Sequence, residues 1–204
     1  MERLIEGHKR FLAEAFPARR DQFHLLAEGQ APETLFVTCA DSRVVPDLIL
    51  QTQPGDLFIC RNAGNVIPRH GEPAGGVSAT IEYAVQVLRV RHVIVCGHSD
   101  CGVIRALMNP EQLNGLENVK DWLQHVEPAW GYLKGVEGQD GELTRHKALT
   151  QANVLVQMDN LHSHGYIQAA LREGRLRIHG WYYDILSGGI ERFDEQAGKF
   201  VPLT

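Results

Sequence analysis

The chain has 204 residues, 44% of them apolar, which is enough for one compact domain that needs no disulfide staples. Its formal charge of −5, from 25 acidic and 20 basic side chains, offers polyphosphate no electrostatic attraction, and nucleic acid is not an expected partner. No apolar run approaches the roughly 20 residues of a membrane span. The opening MERLIEGHKRFLAEAF interleaves charges where a secretory signal holds an unbroken apolar stretch of about 7 to 15 residues, so a cytoplasmic chain without membrane contact is expected.

Leu4, Ile5, Phe11, Leu12, Ala15 and Phe16 fall near helical spacing and predict an amphipathic helix that Pro17 ends. A shorter helix over 18–27 follows, and Gly29 and Pro32 mark a loop. Residues 1–28 thus read as an N-terminal helical arm ahead of an α/β core over 34–204. In that core TLFVT (Thr34–Thr38), DLFIC (Asp56–Cys60) and HVIVC (His92–Cys96) are β-rich and too short for buried helices. Helical patterns lie between them, over Pro46–Gln51 and over Gly75–Arg89, where Ile81, Ala84, Val85 and Leu88 share one stripe. Strands alternating with helices predict a single α/β domain with a central, mainly parallel sheet flanked by helices. Helices over Asn118–Leu133 and His146–His162, a strand over Arg175–Tyr183 and a hairpin return over Gly189–Phe193 complete the expected core. The Gly135–Gly141 turn is the richest linker, and without repeats or low-complexity tracts a second domain is not expected.

Two polar segments directly follow the first and third strands: Cys39, Ala40, Asp41, Ser42 and Arg43, and then Gly97, His98, Ser99, Asp100, Cys101 and Gly102. Ligands of open α/β sheets sit beyond the carboxyl ends of the strands, so neighbouring strands would bring both segments to one place. Thiolate and neutral imidazole suit zinc, and Cys39, His98 and Cys101 would leave one of four tetrahedral positions for a water molecule, as a catalytic site requires. A helix starting at Gly102 would favour the thiolate form of Cys101. Taken singly, Cys39 reads as a small buried hydrophobe, Asp41 and Ser42 as turn and cap residues, and Arg43 as a surface charge. Their coincidence at the end of a core strand points to a task. Cys60 and Cys96, embedded in strand patterns, are expected to be structural.

Together with RNAGN at Arg61–Asn65 and EYAV at Glu82–Val85, these segments resemble the β-class carbonic anhydrases. The resemblance runs over nearly the whole chain, as far as HGWYYD at His179–Asp184, and is strongest to the bacterial, plant-like branch associated with cyanate metabolism. It implies zinc held by Cys39, His98 and Cys101, and reversible hydration of carbon dioxide to bicarbonate and a proton by a zinc-bound hydroxide. Asp41 then either pairs with Arg43 beside an open zinc or swings in as a fourth ligand in a closed state. In one subgroup the closed state is linked to bicarbonate held by a tryptophan three residues before the first cysteine. Phe36 stands there instead, so the open state is expected.

By the same resemblance Gln30, Phe58 and Tyr83 line the substrate pocket, partly across a subunit boundary, with Gly102 beside them. Ala63 replaces the usual valine in the pocket wall. Two thiolates cancel the formal charge of the ion, so turnover is expected to fall as pH drops towards 7. Tyr83 or water could carry the proton to buffer, and His70, His92 and other histidines stay open for that role. A homodimer or higher homo-oligomer is implied, with the N-terminal helix wrapping its partner. Three other readings compete: a carbonyl sulfide or carbon disulfide hydrolase on the same scaffold, a non-catalytic protein whose structural zinc keeps Asp41 as a permanent ligand, and a redox role for Cys39 and Cys101, which the lack of a Cys-x-x-Cys pair disfavours.

Overall fold

A computed structural model describes residues 1–72, 75–133 and 142–203, and the chain divides into two compact units, Met1–Ala31 and Pro32–Thr204. The expected Gly135–Gly141 turn lies outside the described residues. The first unit is helical: α1 spans Glu2–Arg10, a π turn spans Phe11–Ala15, α2 spans Phe16–Ala18 and α3 spans Arg20–Glu28. Pro17 does not end the first helix, as the sequence suggests. It falls in the opening turn of α2, just after a π turn in which Phe16 N bonds Phe11 O. The break comes at Arg19, which leaves helical geometry at φ −126° and ψ 20°. Phe11, Phe16 and Phe23 form an aromatic cluster with ring centroids 5.3 to 6.0 Å apart.

The second unit is built on a six-stranded sheet. Its elements in chain order are β1 (Thr34–Cys39), α4 (Pro46–Leu50), β2 (Leu57–Asn62), α5 (Gly76–Glu82), β3 (His92–His98), α6 (Gly102–Met108), α7 (Glu117–Leu123), α8 (Ala129–Tyr132), α9 (Glu142–His162), α10 (Gly165–Arg172), β4 (Arg177–Tyr183), β5 (Ile190–Asp194) and β6 (Lys199–Pro202). The strand order is β2-β1-β3-β4-β5-β6. The first four are parallel and the last two antiparallel, so the expected mainly parallel α/β sheet is present. The single helix expected over 118–133 is instead α7 and α8, separated by a turn that ends at Pro128, whose missing N–H cannot continue a helical ladder. Strand β6 and helix α10 were not anticipated.

β1 is buried along nearly its whole length, as a central parallel strand covered on both faces should be. Leu35, Val37, Val93 and Val95 face one core with Ile81, Val85, Val154 and Ile167. Phe36, Ile94 and Cys96 face the other way, with Leu50, Ile59, Trp181 and Tyr183 packed beside them. From β1 the chain passes to β2 on one side and then to β3 on the other. The carboxyl ends of β1 and β3 therefore open a switch-point crevice, the usual place for a ligand in such sheets.

Helix α9 holds this crevice with polar groups on its buried side. His146, Thr150, Asn153, Gln157 and Asn160 are all buried, at spacings of three and four that share one helical face. His146 Nε2 donates to Cys101 O at 3.0 Å, and Asn153 Nδ2 donates to Gly64 O at 3.0 Å. Gln157 Oε1 accepts from Ile67 N at 2.7 Å, and Asn160 Nδ2 donates to Ile67 O at 2.8 Å. Irregular backbone next to β2 and α6 thus finds the partners that burial demands. Between β3 and α9 the fit is close, since a Cβ at Gly97 would lie 2.9 Å from methyls of both Thr150 and Val154. Gly97→Ala is therefore expected to destabilise the fold by about 1–3 kcal/mol. Urea denaturation measures this, and an unchanged midpoint would show that the interface yields freely.

Candidate metal centre

Cys39 is the last residue of β1 and His98 the last of β3, two neighbouring strands. Cys101 is the N-cap of α6. Their ligand atoms all lie within 4.8 Å of one another, and all three residues are buried. His98 Nδ1 is 2.8 Å from Ser99 O. A carbonyl can only accept, so Nδ1 carries the proton and Nε2 keeps its lone pair. Nε2 is buried and has no hydrogen-bond partner among the described residues.

The two sulfurs behave as a pair. A hydrogen bond from Cys101, aided by the Gly64 N–H, holds the Cys39 thiol below its usual range against the cost of its burial. Cys101 is pushed up, first by that same bond to Cys39 and then by burial, although the Val103 and Ile104 N–H groups at the start of α6 act in the opposite sense. The first negative charge therefore forms readily and the second only with added positive charge. Cys60 and Cys96 differ in kind: both are buried in strands, and burial raises Cys60 and pushes Cys96 up to about 12. Two soft sulfur donors, an orphaned imidazole nitrogen and a pocket that disfavours the second thiolate together fit a divalent cation such as zinc.

Asp41 lies beside the cluster, its Oδ2 3.9 Å from His98 Nε2. Arg43 holds it with three donors: the backbone N–H at 2.9 Å and Nε at 3.0 Å to Oδ1, and Nη2 at 2.7 Å to Oδ2. Chiefly because of the Arg43 side chain, the Asp41 carboxyl sits well below the usual carboxylate range. Arg43 is itself held from the other side. Nη1 donates to Asp100 Oδ2 at 2.9 Å and Nη2 to Asp100 O at 3.0 Å, and Arg105 pairs with Asp100 in turn. Arg61 ties down the loop after β1 by donating to Cys39 O at 3.1 Å and to Asp41 O at 2.7 Å.

Asp100 and Gly64 contribute in ways the sequence does not indicate, although both lie inside segments singled out by their composition. Asp100 takes a positive φ of 56° and reaches Arg43 across 57 positions of sequence, which no local pattern reports. Gly64 offers its N–H to Cys39 Sγ at 3.4 Å. Among the expected pocket residues, Phe58 is half-buried and its ring lies 6.0 Å from that of Tyr83, which is 45% exposed. Ala63 and Gly102 are exposed at the starts of a 3₁₀ turn and of α6. Gln30 is exposed after α3 in the first unit. Phe36 is buried, edge-to-face with Trp181 at 6.1 Å.

A depressed carboxylate stabilises the fold above its unfolded pKa of about 4, and the contribution fades as pH falls towards the native value. Arg43→Met should therefore lower the denaturation midpoint at pH 7, with the gap to wild type narrowing below about pH 4. A gap that stays constant down to pH 2 would mean that Arg43 acts by packing alone.

Residues 34–190 match the family model described as carbonic anhydrase. A carbonic anhydrase of Pseudomonas aeruginosa is 46% identical over 203 residues, covering 100% of this chain and 92% of that one. Carbonic anhydrase 1 of Escherichia coli O157:H7 is 43% identical with the same coverage. Among solved structures, the β-carbonic anhydrase CcaA superposes with a TM-score of 0.95 at 40% identity, covering 100% of this chain and 92% of that one. A structure from a study of two tetrameric β-carbonic anhydrases of Sordaria macrospora gives 0.86 at 29% identity, covering 98% of both chains.

Proposed function

Because the chain belongs to the β-class carbonic anhydrases, enzymes of reversible carbon dioxide hydration, we propose that it works with one zinc ion held by Cys39, His98 and Cys101. The observation that carries this reading is the buried Cys-His-Cys cluster with its partnerless Nε2. Zinc bound there would supply a nucleophile at neutral pH by making a water molecule more acidic.

The residues around it divide the remaining work. Asp41, ionised well into the acid range, is an acceptor only, so it orients a donor O–H and leaves a lone pair of that oxygen to face the carbon of carbon dioxide. Arg43 keeps the carboxylate turned to this task, and its three bonds to Asp41 oppose a swing to the cation. Asp100 fixes Arg43 from behind. This arrangement supports the open state as the resting one, and buried Phe36 in the tryptophan position suits it. It also weighs against a structural site with Asp41 as permanent ligand. The comparisons do not favour the sulfur-analogue hydrolase.

Phe58 and Tyr83 supply an apolar wall for the carbon dioxide, with Ala63 and Gly102 at its rim. Gln30 is assigned to polarise a substrate oxygen, and the competent unit is a homodimer or a larger homo-oligomer. The tetrameric relatives support that reading. Action in the cytoplasm suits four free thiols.

Asp41→Asn is expected to retain zinc and lose most stopped-flow hydration activity; full activity would remove Asp41 from the mechanism. Purified wild type should hold about one zinc per chain through dialysis, and Cys39→Ala should lose it, as read by elemental analysis. Zinc retained by Cys39→Ala would sink the ligand assignment.

A further inference from the structure

The peptide group joining Ala63 to Gly64 is gripped at both ends. Its N–H donates to Cys39 Sγ at 3.4 Å, and its carbonyl accepts from Trp122 Nε1 at 2.8 Å. No described peptide is cis, and in a trans peptide these two groups point in opposite directions. Indole, peptide and sulfur therefore form one chain of hydrogen bonds, in which a carbonyl that accepts makes its own N–H a stronger donor.

Local structure does not hold this peptide unaided. Gly64 has φ +80°, and a Cβ there would meet Val103 Cγ1 at 2.7 Å, so the turn depends on glycine and on outside support. Asn153 Nδ2 holds the following carbonyl, Gly64 O, at 3.0 Å. The Asn153 amide is oriented in turn by Gln157 Nε2 donating to its Oδ1 at 2.8 Å. The indole is half-buried on α7 and stands edge-on to His125 at 5.3 Å. It comes from 59 positions away to reach this one carbonyl.

We propose that Trp122 is a positioning residue of the metal centre, whose indole N–H orients and polarises the Ala63–Gly64 peptide so that the Gly64 N–H draws charge from the Cys39 thiolate. Trp122 touches neither cation nor substrate. The inference rests on Cys39 being a metal ligand, and it assigns to α7 a share in how much electron density that sulfur gives the ion. Without the indole N–H, the Gly64 donor weakens and the sulfur becomes more electron-rich.

Trp122→Phe keeps an aromatic ring and removes the donor. In the cobalt-substituted enzyme, the thiolate-to-cobalt charge-transfer band of W122F should move to longer wavelength than that of wild type, with the far-UV circular dichroism of the fold retained. A Trp122 that only packs would lower the denaturation midpoint and leave the band in place, and a band in the wild-type position overturns the proposal at any stability. If W122F does not fold, 3-benzothienylalanine at position 122 replaces the ring N–H by sulfur at almost constant shape, and the same band decides. Wild-type protein that takes up cobalt without a thiolate band would overturn the ligand assignment itself and this inference with it.

Discussion

Three buried donor atoms facing one another are the constraint around which the second unit is arranged. An imidazole nitrogen sealed from water without a partner costs about 1–3 kcal/mol, and a second thiolate beside the first costs more again without a cation. Such a cluster persists only if the scaffold prevents its collapse or a cation compensates it. The scaffold does so through main-chain anchors: Arg61 on Cys39 O, Ser99 O on His98 Nδ1, and His146 on Cys101 O. Each fixes a donor's backbone or tautomer while leaving its lone pair free. Mixed sulfur and nitrogen donors of this kind suit a divalent transition-metal cation, and the zinc proposed above is one.

Around that cluster, charge alternates outward from Asp41 to Arg43, Asp100 and Arg105. Asp41 could serve as an orienting acceptor or as a fourth ligand, and the strength of the grip on Arg43 separates these fates. A free arginine would trade partners easily, being 44% exposed along its side chain. Bound also to both the side chain and the carbonyl of Asp100, it has less to gain by letting go. The buried polar face of α9 serves the irregular segment 64–68 in a comparable way, replacing water with fixed amides where the backbone leaves regular structure. Rigid surroundings of this kind hold a site to the tolerance that catalysis needs.

Residues whose meaning is local were legible in the chain itself. TLFVT, DLFIC and HVIVC declared strands because short β-branched and aromatic runs have few other fates, and the polar residues that follow them declared a site because strand ends are poor places for unpaired polarity. Helix α10 and strand β6 carry no clear sequence signal, being short and only partly apolar. The helix expected over 118–133 failed at Pro128 because periodicity carries no record of a missing N–H. On α9 the buried polar stripe has the same spacing as an apolar one, so periodicity locates the face without saying what it meets.

The sequence by itself determined the donor chemistry: which side chains offer sulfur, imidazole and carboxylate, and at which strand ends they stand. Only the tertiary structure decided that β1 and β3 are neighbours, that Cys39, His98 and Cys101 bring ligand atoms within 4.8 Å of one another, and that Asp100 and Trp122 reach the site from 57 and 59 positions away. The reason is physical. Strand propensity and donor identity are properties of a residue and its near neighbours, whereas strand order and the partner of a hydrogen bond are settled by which distant surfaces can be buried together.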